Sequence, residues 1–154
     1  MRFPHHDVYL IALVLCAYLG AVECLRIAVI GSGNWGSVVA RNLARNAQHN
    51  SAAEKKVKMW VHDENLVSKI NLEHMNEKYL PGVSLTENVV ATANLEECCN
   101  DADVLVFVMP HEYLPDILTD LKGKVKSSAI GVSLAKSITM TEDGPQRCSE
   151  QIRR

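Results

Sequence analysis

No block of like charge appears in the 154 residues, and 16 lysines and arginines against 18 aspartates and glutamates leave a formal net charge of −2. With a pI near 6.3, the electrostatics give no reason to expect DNA, RNA or an anionic membrane as a partner. Paired CxxC spacing is missing too. The five cysteines (Cys16, Cys24, Cys98, Cys99 and Cys148) are odd in number, and two are adjacent. That pattern argues against a disulfide frame or a zinc site and reads as free thiols in a reducing compartment. His5, His6, His49 and His74 show no metal-ligand spacing, so no metal is expected. Internal repeats and low-complexity tracts are absent. What remains, 47% hydrophobic and 22% charged residues, fits one ordinary globular domain with a real core.

A hydrophobic run long enough to span a bilayer is also lacking. The apolar stretch from Val8 to Val22, VYLIALVLCAYLGAV, is 15 residues long, short of the ~20 a spanning helix needs. Preceded by Arg2, it reads as a signal-peptide core, with Val22 and Cys24 at the −3 and −1 positions of a cleavage site and Leu25 as the first mature residue. A membrane anchor and a plain N-terminal extension are the other readings. Residues 1–24 are therefore set aside as a leader, and residues 25–154 are taken as the folded domain.

From Leu25 onward, strand and helix patterns alternate. Arg26 to Ile30 (RIAVI) reads as a buried strand, apolar at four of five positions and β-branched at three. A helix is predicted from Trp35 to Asn46, with Val38, Val39, Leu43 and Ala44 or Ala47 on one face. The polar stretch AQHNSAAEKK is predicted as a loop. Val57–Val61 follows as a strand, Asn65–Asn76 as a helix carrying Leu66, Ile70 and Met75, and YLPGVSLTEN as a loop. Val89–Thr92, Val104–Val108 and Ala129–Ser133 complete the strands; Asn94 caps a turn through Cys99, and a helix covers Glu112–Leu121. This order, with strands apolar on both faces, predicts an α/β fold: a doubly wound, mostly parallel sheet covered by helices on each side.

Between the first strand and the first helix lies Gly31-Ser32-Gly33-Asn34-Trp35-Gly36. In this GxGxxG pattern the first glycine permits a tight turn, the second lets a pyrophosphate approach the backbone, and the third lets the helix lie close on the sheet. The helix start adds unpaired N–H groups and the positive end of its dipole, which suit a diphosphate. The second strand ends in WVHDE, bringing His62, Asp63 and Glu64 to its carboxyl edge. There Asp63 or Glu64 can accept hydrogen bonds from a ribose and repel a 2′-phosphate, favouring NAD over NADP. Both can equally cap the helix from Asn65.

The segments IAVIGSGNWGS, KMWVHDE, KYLPG, ADVLVFVMPHEYL and GVSLAKS, in this order, resemble the N-terminal half of NAD-dependent glycerol-3-phosphate dehydrogenase over Leu25 to Ser149. The resemblance implies a Rossmann-like NAD-binding domain in which Gly31, Ser32, Gly33, Asn34, Trp35 and Gly36 surround the cofactor diphosphate. It places His62 by the adenine, where the family often has phenylalanine, puts the Tyr113 ring near the cofactor, and makes Lys136 a substrate contact. Trp35 as helix packing, Tyr113 as a surface ring and Lys136 as a solvated lysine are the plainer readings; His111 is read as a helix-entry residue. The implied reaction interconverts sn-glycerol 3-phosphate and dihydroxyacetone phosphate by hydride transfer with NAD or NADH, in a full-length homodimer located in the cytoplasm. A secretory location is the alternative if the leader is a signal. In the family the catalytic base and the arginine for the substrate phosphate belong to a second, helical domain. That domain is absent before Arg154, so the chain alone is expected to bind NAD without a complete catalytic set. A stand-alone NAD-binding module and a related two-domain dehydrogenase for another hydroxy substrate are the competing readings.

Overall fold

The structure, a computed structural model, describes residues 24–135, 138–141 and 144–152. The leader before Cys24 and Lys136 lie outside the described residues. Strand β1 (Leu25–Ile30) leads into α1 (Asn34–His49), followed by β2 (Ala53–Trp60), α2 (Glu64–Glu73), β3 (Val89–Thr92) and α3 (Leu95–Cys99). Then come β4 (Val104–Phe107), a 3-10 turn (His111–Tyr113), α4 (Leu114–Leu121) and β5 (Ile130–Ser133). Five parallel strands form one sheet in the order β3-β2-β1-β4-β5, the doubly wound sheet that the alternation predicts. An antiparallel pair, β6 (Ile138–Thr141) with β7 (Gly144–Arg147), forms a separate small sheet before α5 (Cys148–Ile152).

Successive strand residues face opposite layers, and both layers are apolar. Val29, Val57, Met59, Val104 and Val106 meet α1 and α2, where Ala40, Ala44, Leu66 and Ile70 are buried. Ala28, Ile30, Leu105 and Phe107 meet α3 and α4 through Cys98, Cys99, Leu114, Ile117 and Leu121. The seam of α1 runs along Ala40, Ala44 and Ala47, flanked by the half-buried Val39 and Leu43. Three alanines at helical spacing keep the seam thin, so the helix backbone lies close to β1 and β2.

Three boundaries differ from the sequence reading by three residues or more. The predicted loop over residues 47–56 shrinks to 50–52. Ala47 is buried and holds the last turn of α1 on the sheet, and Leu25 pairs with Ala53 at the start of β2. The Lys55 ammonium donates to the carbonyls of Ala47, Gln48 and Asn50 at 3.2, 3.1 and 3.3 Å, satisfying the end of the helix. The second helix stops at Glu73 rather than Asn76. His74 turns left-handed at φ 53° and returns its N–H to Ile70. The β6–β7 hairpin was not anticipated.

The outer edge of β3 is finished by a side chain. Asn71 Nδ2 donates to the Ala91 carbonyl at 2.9 Å and its Oδ1 accepts from the Ala91 N–H at 2.8 Å, imitating a neighbouring strand.

At the sheet's N-terminal edge, Asp103 accepts from the Arg26 N–H at 2.8 Å and pairs with Lys126, while Asp101 accepts from Lys58 at 2.8 Å. Partial burial pushes the Asp103 carboxyl up, but the hydrogen bonds from Lys126 and the Arg26 N–H and the charges of both residues outweigh it, leaving it below the ordinary 3.8. A carboxyl depressed by folding stabilises the native state above its unfolded value and loses that contribution as pH falls through the folded one. Asp103→Asn is therefore expected to cost about 0.5–1 kcal/mol at pH 7, water screening included. The deficit should shrink below pH 3.8, as urea melts at several pH values will test; a deficit independent of pH would refute the assignment.

Candidate cofactor-binding site

The chain leaves β1 toward β2 on one side of the sheet, whereas β4, the other neighbour of β1, leads on to β5. Strand order reverses at this point, and open α/β sheets collect ligands at the carboxyl ends of the strands there. A cleft of about 460 Å³ opens at this place. It is walled by Gly33–Gly36 at the start of α1, by Val108–His111 after β4, and by Leu134 and Ala135 after β5.

The three glycines serve three different ends. Gly31 turns the chain at φ +120°, and a Cβ on it would lie 2.3 Å from the carbonyl oxygen of Val108, which directly follows the adjacent strand. A Cβ on Gly36 would lie 2.0 Å from the Gly31 carbonyl oxygen. Its missing side chain therefore lets the first turn of α1 lie close against the chain leaving β1, the close approach of helix and sheet expected of the third glycine. At Gly33 a Cβ would meet nothing within 4 Å. No packing accounts for that glycine, and the open space above it belongs to the cleft.

The start of α1 has the polarity for an anion. Gly33 is the N-cap residue with no side-chain hydrogen bond, and the first turn carries no acidic residue. The N–H groups of Asn34, Trp35 and Gly36 precede the first intrahelical donor, the Ser37 N–H that bonds the Gly33 carbonyl at 2.9 Å, and point out of the helix end, where a 16-residue dipole adds its positive pole. An unfilled glycine beside free amides fits a dinucleotide diphosphate.

The predicted site residues divide into two groups. Gly33, Asn34, Trp35 and Gly36 line the cleft, together with His111. Trp35 is 57% exposed, so its ring is not core packing. Ser32 is buried behind the loop. His62, Asp63 and Tyr113 do not line the cleft. His62 is exposed and stands edge-on to Trp60 at 5.7 Å, and Tyr113 is exposed on the 3-10 turn. Asp63 caps α2, accepting from the Asn65 N–H at 3.2 Å, and pairs with Lys78 at 2.8 Å. The hydrogen bond from Lys78, then that from Asn65, holds the Asp63 carboxyl below its usual range. Glu64 is exposed in the first turn of α2.

One residue escaped the sequence reading. Asn76, inside MNEKYLPG, is fully buried and joins the glycine loop to the first turns of α1, donating through Nδ2 to the Ser32 carbonyl at 2.8 Å and to Ser37 Oγ at 2.9 Å. Ser37 Oγ donates to the same Ser32 carbonyl at 3.2 Å. The sequence reading placed Asn76 at the end of the second helix with no role of its own, and the only available signal was its place two residues ahead of KYLPG.

The cysteines Cys24, Cys98 and Cys99 are free thiols, and the described residues contain no cluster able to hold a metal. A hydrogen bond with Cys99 and burial push the Cys98 thiol up, keeping it neutral in the core. No helix among the described residues is long and apolar enough to cross a membrane.

Known proteins share this fold and much of this sequence. The family model for the N-terminus of NAD-dependent glycerol-3-phosphate dehydrogenase matches residues 26–154. A glycerol-3-phosphate dehydrogenase 1-like protein of Xenopus tropicalis is 42% identical over 134 residues, covering 84% of this chain and 38% of that protein. A glycerol-3-phosphate dehydrogenase [NAD(+)] of Pichia angusta is 44% identical over 133 residues, covering 82% and 35%. The structure of glycerol-3-phosphate dehydrogenase from Saccharomyces cerevisiae superposes with a TM-score of 0.80 at 38% identity, over 84% of this chain and 38% of that one. The chain thus spans little more than a third of the relatives it matches. With the fingerprint loop, the strand order and the match over residues 26–154 in agreement, the chain belongs to the NAD-dependent glycerol-3-phosphate dehydrogenase family and corresponds to its N-terminal part.

Proposed function

We propose that the chain binds NAD or NADH in this cleft, with the diphosphate on the Gly31–Gly36 loop. In this role it is the cofactor-holding part of an enzyme interconverting sn-glycerol 3-phosphate and dihydroxyacetone phosphate. The observation that carries the reading is the empty space at Gly33, above the free amides that open α1. The chemistry that the cofactor supplies when bound is hydride transfer; the residues of this chain bind and orient it. Trp35, which lines the cleft, is assigned to the diphosphate, His62 to the adenine, Tyr113 to a place near the cofactor, and Lys136 to the substrate. A cytoplasmic location goes with the reading, as in the human relative named cytoplasmic, 39% identical over 132 residues. Titration calorimetry with NADH tests the proposal: one cofactor per chain is expected, and no binding at millimolar NADH would refute it.

Discrimination against NADP is assigned to the Asp63–Glu64 carboxylates. Lys78, 2.8 Å from Asp63, would lose its partner if Asp63 were replaced. The double variant Asp63→Ser, Glu64→Arg then presents two cations to a 2′-phosphate, and the NADPH-to-NADH affinity ratio is expected to rise about tenfold or more. An unchanged ratio in parallel titrations would remove both residues from ribose recognition.

A further inference from the structure

A fully buried asparagine with no obvious structural task calls for an explanation. Asn76 spends both Nδ2 hydrogens, on the Ser32 carbonyl and on Ser37 Oγ, while its Oδ1 has no hydrogen-bond partner among the described residues. The amide is thus used for its donor end alone. Its own main-chain carbonyl accepts from Tyr79 and Leu80 at 3.2 and 2.7 Å, which anchors it at the start of the KYLPG turn.

The target of those donors matters because of peptide geometry. In a trans peptide the C=O and the following N–H point in opposite directions, and the described residues contain no cis bond. With the Ser32 carbonyl drawn inward to Asn76 and Ser37, the Gly33 N–H is turned the other way, away from those buried groups, and Gly33 itself lines the cleft. A flipped peptide would present a carbonyl oxygen there instead, repelling an anion.

We propose that Asn76 is a positioning residue for diphosphate recognition: by holding the Ser32 carbonyl inward, it keeps the Gly33 N–H directed at the cleft. This rests on the proposal that the cleft takes the cofactor diphosphate. Asn76 contacts no ligand itself and acts through the peptide it holds.

Two measurements on the whole 154-residue protein test it. In the wild type, ADP is expected to shift the Gly33 amide resonance strongly; if ADP binds and that resonance does not move, the proposal fails whatever the variants do. Asn76→Leu keeps the side-chain volume and removes both donors, and Asn76→Ala serves as a second variant should the first not fold. ADP affinity is expected to fall about tenfold or more, the loss of one well-aimed hydrogen bond to a charged group. The Gly33 response to ADP should disappear, and adenosine, which lacks the diphosphate, should bind as before. A variant that is folded and binds ADP as tightly as the wild type overturns the positioning role and leaves the cofactor site standing. A wild type that binds neither ADP nor NADH overturns both.

Discussion

Gly33→Val is expected to abolish measurable NADH binding while the melting temperature stays within about 3 °C of the wild type. Gly33 has φ −64° and ψ −176°, a conformation open to any residue, and its absent Cβ faces nothing within 4 Å. The substitution therefore costs the folded protein little. A branched side chain at that point occupies the space where a diphosphate must approach the amides opening α1, and the loss of several such contacts amounts to at least a hundredfold in affinity. Scanning calorimetry and NADH titration on the same preparation separate the two effects. Retained affinity in the valine variant would mean that the open space at Gly33 is not where the cofactor lies.

A single methyl group placed three residues later has the opposite consequence. Gly36→Ala is expected to destabilise the protein by about 3 kcal/mol or more, a large part of the ~5–15 kcal/mol that holds such a domain together. The added Cβ would sit 2.0 Å from the Gly31 oxygen and 2.8 Å from its carbon. Both atoms are main chain, so no rotamer change relieves the clash. Gly31 in turn cannot retreat, because its own Cβ position is already occupied by the carbonyl of Val108, which directly follows β4. Urea denaturation midpoints measure the cost. An alanine variant as stable as the wild type would show that the loop and α1 can separate, and with that the interlock of Gly31, Gly36 and β4 would be disproved.

Much of this arrangement is legible in the residues themselves. RIAVI and VLVFV are short apolar runs with no helical period and form β1 and β4 close to where they were expected. The glycine string between an apolar run and a helical pattern marks the loop, and Asn94 caps α3 through the Glu97 N–H at 3.0 Å, as its position suggested. Other features depend on partners far away in sequence. Glu54, Lys55 and Lys56 read as loop because they are charged, yet they lie in β2, whose first half is held by pairing with β1 and by Lys55 on the end of α1. The separate jobs of Gly31, Gly33 and Gly36 are readable from the order of the string GSGNWG, but the atoms that enforce them, the Val108 carbonyl for Gly31 and the Gly31 carbonyl for Gly36, appear only in the folded chain. Asn76 is 44 residues from Ser32, and no periodicity links the two.

The side chain that finishes β3 has a consequence for how the architecture grows. With Asn71 occupying the main-chain groups of Ala91, that flank of the sheet is sealed against recruitment of another strand. On the opposite flank, Ile130 and Leu134 direct their N–H groups to β4, so the amides of Gly131 and Ser133 alternate away from it. Accretion of further β structure is thereby confined to one border, and the core sheet has a built-in direction of extension.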